Sequence, residues 1–133
     1  MKKIFIHFGC HKTGTTSIQK FFIENTDRLN KVDFDYMHKP NGRHTELGQC
    51  VLRNKVINAT APVPKRHELR KKTQNKISHF LTNSKHSNFI FSDEGLDFIR
   101  MQAEIDQLIK LFPENYKLIP LLCIREKEDW KKS

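Results

Sequence analysis

Lys3-Ile4-Phe5-Ile6-His7-Phe8-Gly9-Cys10-His11-Lys12-Thr13-Gly14-Thr15-Thr16-Ser17 is the stretch on which the fold turns. Its first six residues are mostly apolar and rich in strand formers, which predicts a short buried strand. A polar loop containing Gly9 and Gly14 follows. From Thr15 the spacing becomes helical, with Ile18, Phe21, Phe22 and Leu29 on one face. Strand, glycine-containing loop and helix in that order form the opening half of a βαβ unit. The loop has the chemistry of a phosphate cradle. Glycines let the backbone turn tightly, while a helix N-terminus offers unpaired N–H groups and the positive end of its dipole. Lys12 adds a mobile positive charge, and Thr15, Thr16 and Ser17 add hydroxyl donors. It is not a Walker A motif, in which Lys directly follows the second glycine. Here Thr15 follows Gly14, and the lysine stands two residues earlier.

Outward from this unit the pattern continues to alternate. Val32 to Met37 reads as a short second strand, and Pro40-Asn41-Gly42 as a turn. A helix is expected over His44 to Val56 and a loop over Asn58 to Pro64, where two prolines sit among small residues. Glu68 to Leu81 is an amphipathic basic helix. Asn88-Phe89-Ile90-Phe91 is a buried strand, and Ser92-Asp93-Glu94 reads as a helix cap with an acidic first turn. Phe98, Met101, Ile105, Leu108, Ile109 and Phe112 form a helical stripe that Pro113 ends. Lys117 to Ile124 is a further strand, although Pro120 is awkward for a central position. From Arg125 the chain turns polar, as a new helix begins. Strands alternating with helices predict an α/β fold: three αβα layers around a parallel sheet, opened by a P-loop-like strand–loop–helix unit.

Composition limits the partners. The 133 residues read as one domain, with 37% hydrophobic and 29% charged residues, a balance that suits a folded chain rather than a disordered one. No apolar run approaches membrane-spanning length. The apolar start after Lys2-Lys3 is broken too soon for a signal core. Cys10, Cys50 and Cys123 are odd in number and far apart, which argues against a disulfide framework or zinc knuckle and for a reducing cytoplasm. The net charge is +9, and residues 65–85 hold seven Lys/Arg against one Glu. That segment reads either as a solvated helix face or as a surface for an acidic glycan or lipid. Its only aromatic is Phe80, so the interleaved stacking surface of a nucleic-acid module is missing.

The loop also resembles that of a known family. His7-Phe8-Gly9-Cys10-His11-Lys12-Thr13-Gly14-Thr15-Thr16-Ser17-Ile18-Gln19 is similar to the 5′-phosphosulfate loop of sulfotransferases that use 3′-phosphoadenosine-5′-phosphosulfate (PAPS). In that family a Lys-[Ser/Thr/Gly]-Gly-Thr-Thr core follows the first strand, and Ser-Ile-Gln after it is most like bacterial members. A second family signature is an Arg closing a later strand with a Ser eight residues on. Here Arg125 closes Leu118–Ile124, and Ser133 stands at that spacing. The family's domain continues beyond this Ser, so the resemblance implies that 1–133 is the N-terminal, truncated portion of a nucleotide-binding domain.

The resemblance implies transfer of a sulfuryl group from PAPS to a hydroxyl or amine, with PAP as product and no metal. His11, Lys12, Thr13, Gly14, Thr15, Thr16 and Ser17 would hold the 5′-phosphosulfate, and Lys12 would also neutralise the leaving oxygen. Arg125 and Ser133 would hold the 3′-phosphate. Some members carry a Glu base eight residues after the loop lysine; here that position is Lys20. Two residues remain as candidates for the base. Glu94 follows a strand end, where it reads equally as a helix-start carboxylate, and His44 is more simply a solvated turn residue. His7 reads as structural. The competing functions are a nucleotide kinase or NTPase-like protein, for which Asp93 is the only hint of a magnesium-binding carboxylate, and a basic nucleic-acid-binding module.

Overall fold

Strand β1 (Lys3–Phe8) lies inside a four-stranded sheet, between β3 (Asn88–Asp93) and β4 (Lys117–Leu122), and β2 (Phe34–Tyr36) pairs with the outer side of β3. The order is β2-β3-β1-β4, and every pairing is parallel. The computed structural model describes residues 1–9, 15–37, 39, 44–53 and 63–122. Helices α1 (Thr15–Glu24), α2 (Thr26–Lys31), α3 (Glu46–Val51), α4 (Val63–Asn83) and α5 (Gln102–Lys110) lie among them, with a 3-10 helix over Glu94–Phe98. The chain is an α/β fold, as the alternation of strands and helices predicts.

Alternation along each strand divides the sheet into two faces. Ile4 and Ile6 of β1 and Phe89 and Phe91 of β3 share one face and form the main core with Leu47, Ile77, Leu81, Leu108 and Phe112. Phe80 of α4 meets Phe89 and Phe91 edge-on, and Phe112 meets Phe91 in the same way. His7, Ser92 and Tyr36 share the opposite face, where α1 lays Gln19 against Ser92 and Phe22 against His7 and Tyr36. Helices therefore cover both faces.

Local chemistry explains where the elements depart from simple periodicity. The helix expected over 15–29 is interrupted at Asn25. Asn25 Nδ2 donates to Phe21 O, and Thr26 Oγ1 to Phe22 O and Ile23 O, so side chains take the last carbonyls of α1. Helix α4 starts earlier than expected, at Val63. Pro64 is tolerated there because a first-turn residue needs no N–H donor. Pro120 is accommodated because β4 is an edge strand among the described residues. Lys117 N donates to Lys2 O across β1–β4, so the alternate residues 118, 120 and 122 turn their N–H positions outward, and proline removes a donor that pairs with nothing there. The strand end expected at Cys123 and Ile124 and the helix expected from Arg125 lie outside the described residues, as do the turn at 40–42 and most of the loop at 58–64.

Candidate functional site

The carboxyl ends of β1 and β3 meet at Phe8 and Asp93, which are partners in the parallel register. The chain leaves β1 toward β2 on one side of the sheet and leaves β3 toward β4 on the other. Right-handed crossovers in opposite directions run over opposite faces, so a crevice opens between the two strand ends. In sequence, residues 9–14 connect β1 to α1. Of the expected anion-binding residues, Thr15, Thr16 and Ser17 form the first turn of α1. His11, Lys12, Thr13 and Gly14 lie outside the described residues, and so do Arg125 and Ser133.

His44 is at the same rim, but it is not a solvated turn residue. It is fully buried. Strand β2 is three residues long, so beyond Tyr36 the edge of β3 has no strand beside it. His44 fills that place. Its backbone N–H donates to Ser92 O at 2.9 Å, and its Nδ1 accepts from Ser92 N at 2.9 Å. Nε2 donates to Met37 O at 2.8 Å. An Nδ1 that accepts and an Nε2 that donates define one neutral tautomer. Burial pushes the imidazole pKa down to about 4, and the bond to Met37 only partly opposes it. The ring also lies against Tyr36 at 4.6 Å and Phe91 at 5.3 Å between centroids. His44 thus completes a sheet edge, and its basic nitrogen is already occupied.

Ser92 anchors a second set of polar groups, on the α1 face. His7 Nδ1 lies 2.8 Å from its Oγ, and Gln19 Nε2 donates to the same oxygen at 3.0 Å. The Tyr36 hydroxyl also reaches Ser92, and burial pushes the phenol pKa up. Burial lowers the pKa of His7. This cluster ties α1, and so the start of the helix after the loop, to the ends of β1, β2 and β3. Its members are separated by up to 85 positions in the chain. Only His7 is legible as structural from strand alternation; Gln19 and Ser92 carry no comparable signal.

Asp93 ties the other side of the crevice. It is 3% exposed, its Oδ2 accepts Gly48 N at 2.7 Å, and its Oδ1 accepts Gly95 N at 2.8 Å. The second bond caps the 3-10 helix, which replaces the α-helical start expected after Ser92. At Gly48 an added Cβ would lie 2.9 Å from Asp93 Oδ2, so glycine is what allows α3 to approach so closely. Burial raises the Asp93 pKa to about 7, against the lowering effect of the two N–H donors; Glu46 and Glu94 add like charge. With both oxygens engaged, Asp93 is a bridge between α3 and β3, and the hint of a magnesium-binding carboxylate weakens accordingly. Glu94, half-buried, opens the 3-10 helix at the mouth of the crevice. Among the described residues, no group of three or more His, Cys, Asp or Glu side chains is arranged to hold a metal ion.

The basic segment divides into two kinds of residue. Arg66 Nη1 donates to Leu52 O at 3.2 Å and Arg70 Nε to Cys50 O at 2.8 Å, so both close carbonyls at the end of α3. Lys71, Lys72, Lys76 and Lys85 are exposed. Cys50 is buried and free, with its thiol pKa raised by burial. Among the described residues no helix is long and apolar enough to cross a membrane. No family model, no curated protein and no solved structure matches the chain.

Proposed function

We propose that the chain is the nucleotide-binding portion of a PAPS-dependent sulfotransferase. One observation carries the reading. Strand β1, whose carboxyl end lies where the strand connections diverge, is followed in sequence by Lys12-Thr13-Gly14-Thr15-Thr16-Ser17 and the N-terminus of α1. That is where α/β sheets hold phosphorylated ligands. The preference for a phosphosulfate rests on the sequence resemblance.

In this reading the acceptor oxygen or nitrogen attacks sulfur as the bond from sulfur to the 5′-phosphate oxygen breaks. Negative charge grows on that leaving oxygen, and Lys12 neutralises it while N–H groups at the start of α1 hold the phosphosulfate. Arg125, permanently charged and fork-shaped, takes the 3′-phosphate with Ser133. The acceptor's proton passes to Glu94, the remaining candidate base once both nitrogens of His44 are committed to the backbone. The acceptor is a hydroxyl or amine.

Titrations with PAP, ADP and a short single-stranded oligonucleotide test this reading. PAP is expected to bind at least about tenfold more tightly than ADP, a difference of ~1.4 kcal/mol. Lys12→Ala is expected to weaken PAP binding and abolish transfer. Equal affinity for PAP and ADP removes the roles given to Arg125 and Ser133. Binding of the oligonucleotide alone, with a steep salt dependence, overturns the proposal in favour of a nucleic-acid-binding module.

A further inference from the structure

Between β2 and helix α4 runs a cleft of about 500 Å³ that the sulfuryl-transfer reading does not use. Small-molecule sites span roughly 300–1,000 Å³. Lys76 and His79 line it from α4, and their spacing puts them on one helical face with Lys72. Asn83 Nδ2 donates to His79 Nδ1 at 3.2 Å, which leaves the ring proton on Nε2 as a donor. Phe80 adds an aromatic surface beside them, and Asp35 and Glu46 form the acidic wall.

Glu46 distinguishes this cleft from an ordinary charged groove. Its side chain is 10% exposed, and Oε2 pairs with Lys39 Nζ at 3.0 Å. Oε1 has no hydrogen-bond partner among the described residues. A buried carboxylate oxygen without a donor is unfavourable, and a ligand hydroxyl would relieve it. Oε1 is itself out of solvent contact, so a hydroxyl in the cleft meets it only when the carboxylate turns about its soft terminal torsion, a turn that also moves Oε2 against Lys39.

We propose that this cleft binds a hydroxylated anion, an acidic sugar bearing a carboxylate or sulfate. The anionic group pairs with Lys76 and His79, a hydroxyl donates to Glu46, and the apolar ring face lies on Phe80. Mixed lining selects this class. A bare polyanion meets repulsion from Asp35 and Glu46, an acyl chain strips water from charged groups without replacing it, and a neutral sugar leaves the Lys76 charge unused. The site does not depend on PAPS, so it goes beyond the sulfotransferase reading.

Calorimetric titration of the whole chain at fixed salt tests this assignment. The probes are a uronate-bearing tetrasaccharide, its carboxyl-reduced neutral counterpart, inorganic sulfate, and a single-stranded oligonucleotide of equal charge. The acidic tetrasaccharide is expected to bind at least about tenfold more tightly than each of the others. Lys76→Glu, at an exposed position, and Glu46→Gln are each expected to weaken it at least about fivefold, whereas Lys110→Glu on α5 leaves it unchanged. Equal binding of the neutral sugar, of sulfate or of the oligonucleotide overturns the proposal, as does an undiminished affinity in Lys76→Glu. A parallel PAP titration keeps the two ideas separate: loss of PAP binding with sugar binding retained refutes only the sulfotransferase reading.

Discussion

Replacing Asp93 with Asn isolates the strongest buried charge at the crevice. The Asp93 pKa is about 7 in the folded protein against 3.8 for the free side chain. A shift of ~3 units corresponds to ~4 kcal/mol between the two protonation states. Because the folded value is the higher one, the folded state holds the proton more tightly. The Asp93 contribution is therefore most favourable below pH 3.8, declines as pH rises through 7, and is flat above that. About 3 kcal/mol of the decline falls between pH 5 and 8.5. Asn carries no charge and escapes this penalty, but its amide oxygen satisfies only one of the Gly48 and Gly95 N–H groups at full strength. Its NH₂ opposes the other, at a cost of ~1–3 kcal/mol at every pH. Asp93→Asn should be less stable than the wild type at pH 5 and equal or more stable at pH 8.5. Urea denaturation of both proteins across this range gives the difference directly, since every other titrating group cancels to first order. A difference in unfolding free energy that stays constant from pH 5 to 8.5 would refute the buried, proton-holding carboxyl.

Three further substitutions probe neighbouring contacts. His44→Ala removes two hydrogen bonds to the backbone and a ring packed on Tyr36 and Phe91, so a loss of about 3–5 kcal/mol is expected in urea unfolding. Its folded pKa of about 4 lies below the free value of 6.5, so its stabilising contribution is complete above 6.5 and disappears as pH falls through 4. His44→Ala should therefore lose less relative stability at pH 4 than at pH 7, the opposite trend to Asp93. Gly48→Ala places a methyl group 2.9 Å from Asp93 Oδ2 and should destabilise by about 1–3 kcal/mol, read as a lower melting temperature; an unchanged midpoint contradicts the close approach. Arg70→Ala uncovers Cys50 O and should lose about 1–2 kcal/mol, whereas the exposed Lys71→Ala should stay within about 0.5 kcal/mol on the same helix.

The parts of the fold legible in the sequence are those set by local pattern. β1 and β3 are continuous apolar runs because parallel strands inside the sheet are covered on both faces, and the observed strands match that reading. What escaped detection depends on single side chains taking backbone groups from their neighbours. Asn25 and Thr26 close α1 in the middle of an apolar stripe that, by periodicity, runs on to Leu29. Asp93 takes Gly95 N and turns an expected α-helix into five residues of 3-10 helix. Pro64 reads as a loop residue, yet a proline in the first turn of a helix forfeits nothing.

The crevice follows the same division, with consequences for how its residues should be read. The strand–loop–helix unit is visible because its chemistry is contiguous. His44 is not, because its role depends on the length of another element. Three residues of β2 leave the outer edge of β3 at Ser92 without a strand beside it, and a histidine entering α3 supplies both the missing carbonyl partner and the missing acceptor. A turn histidine beside Arg43 has no sequence mark of that. The basic segment shows the converse. Its charge is obvious, but the division of labour within it is not: Arg66 and Arg70 serve the carbonyl end of α3, while Lys76, which lines the cleft beside β2, is exposed. A guanidinium reaches a carbonyl with fixed, directional donors, whereas an ammonium on a flexible stem stays hydrated at the surface. Arginine and lysine along α4 therefore separate into structural and ligand-accessible charge. The net +9 thus overstates what is free for a partner; beside the cleft the exposed charge is Lys76, across from a Glu46 carboxylate that pairs one oxygen with Lys39 and leaves the other without a donor among the described residues.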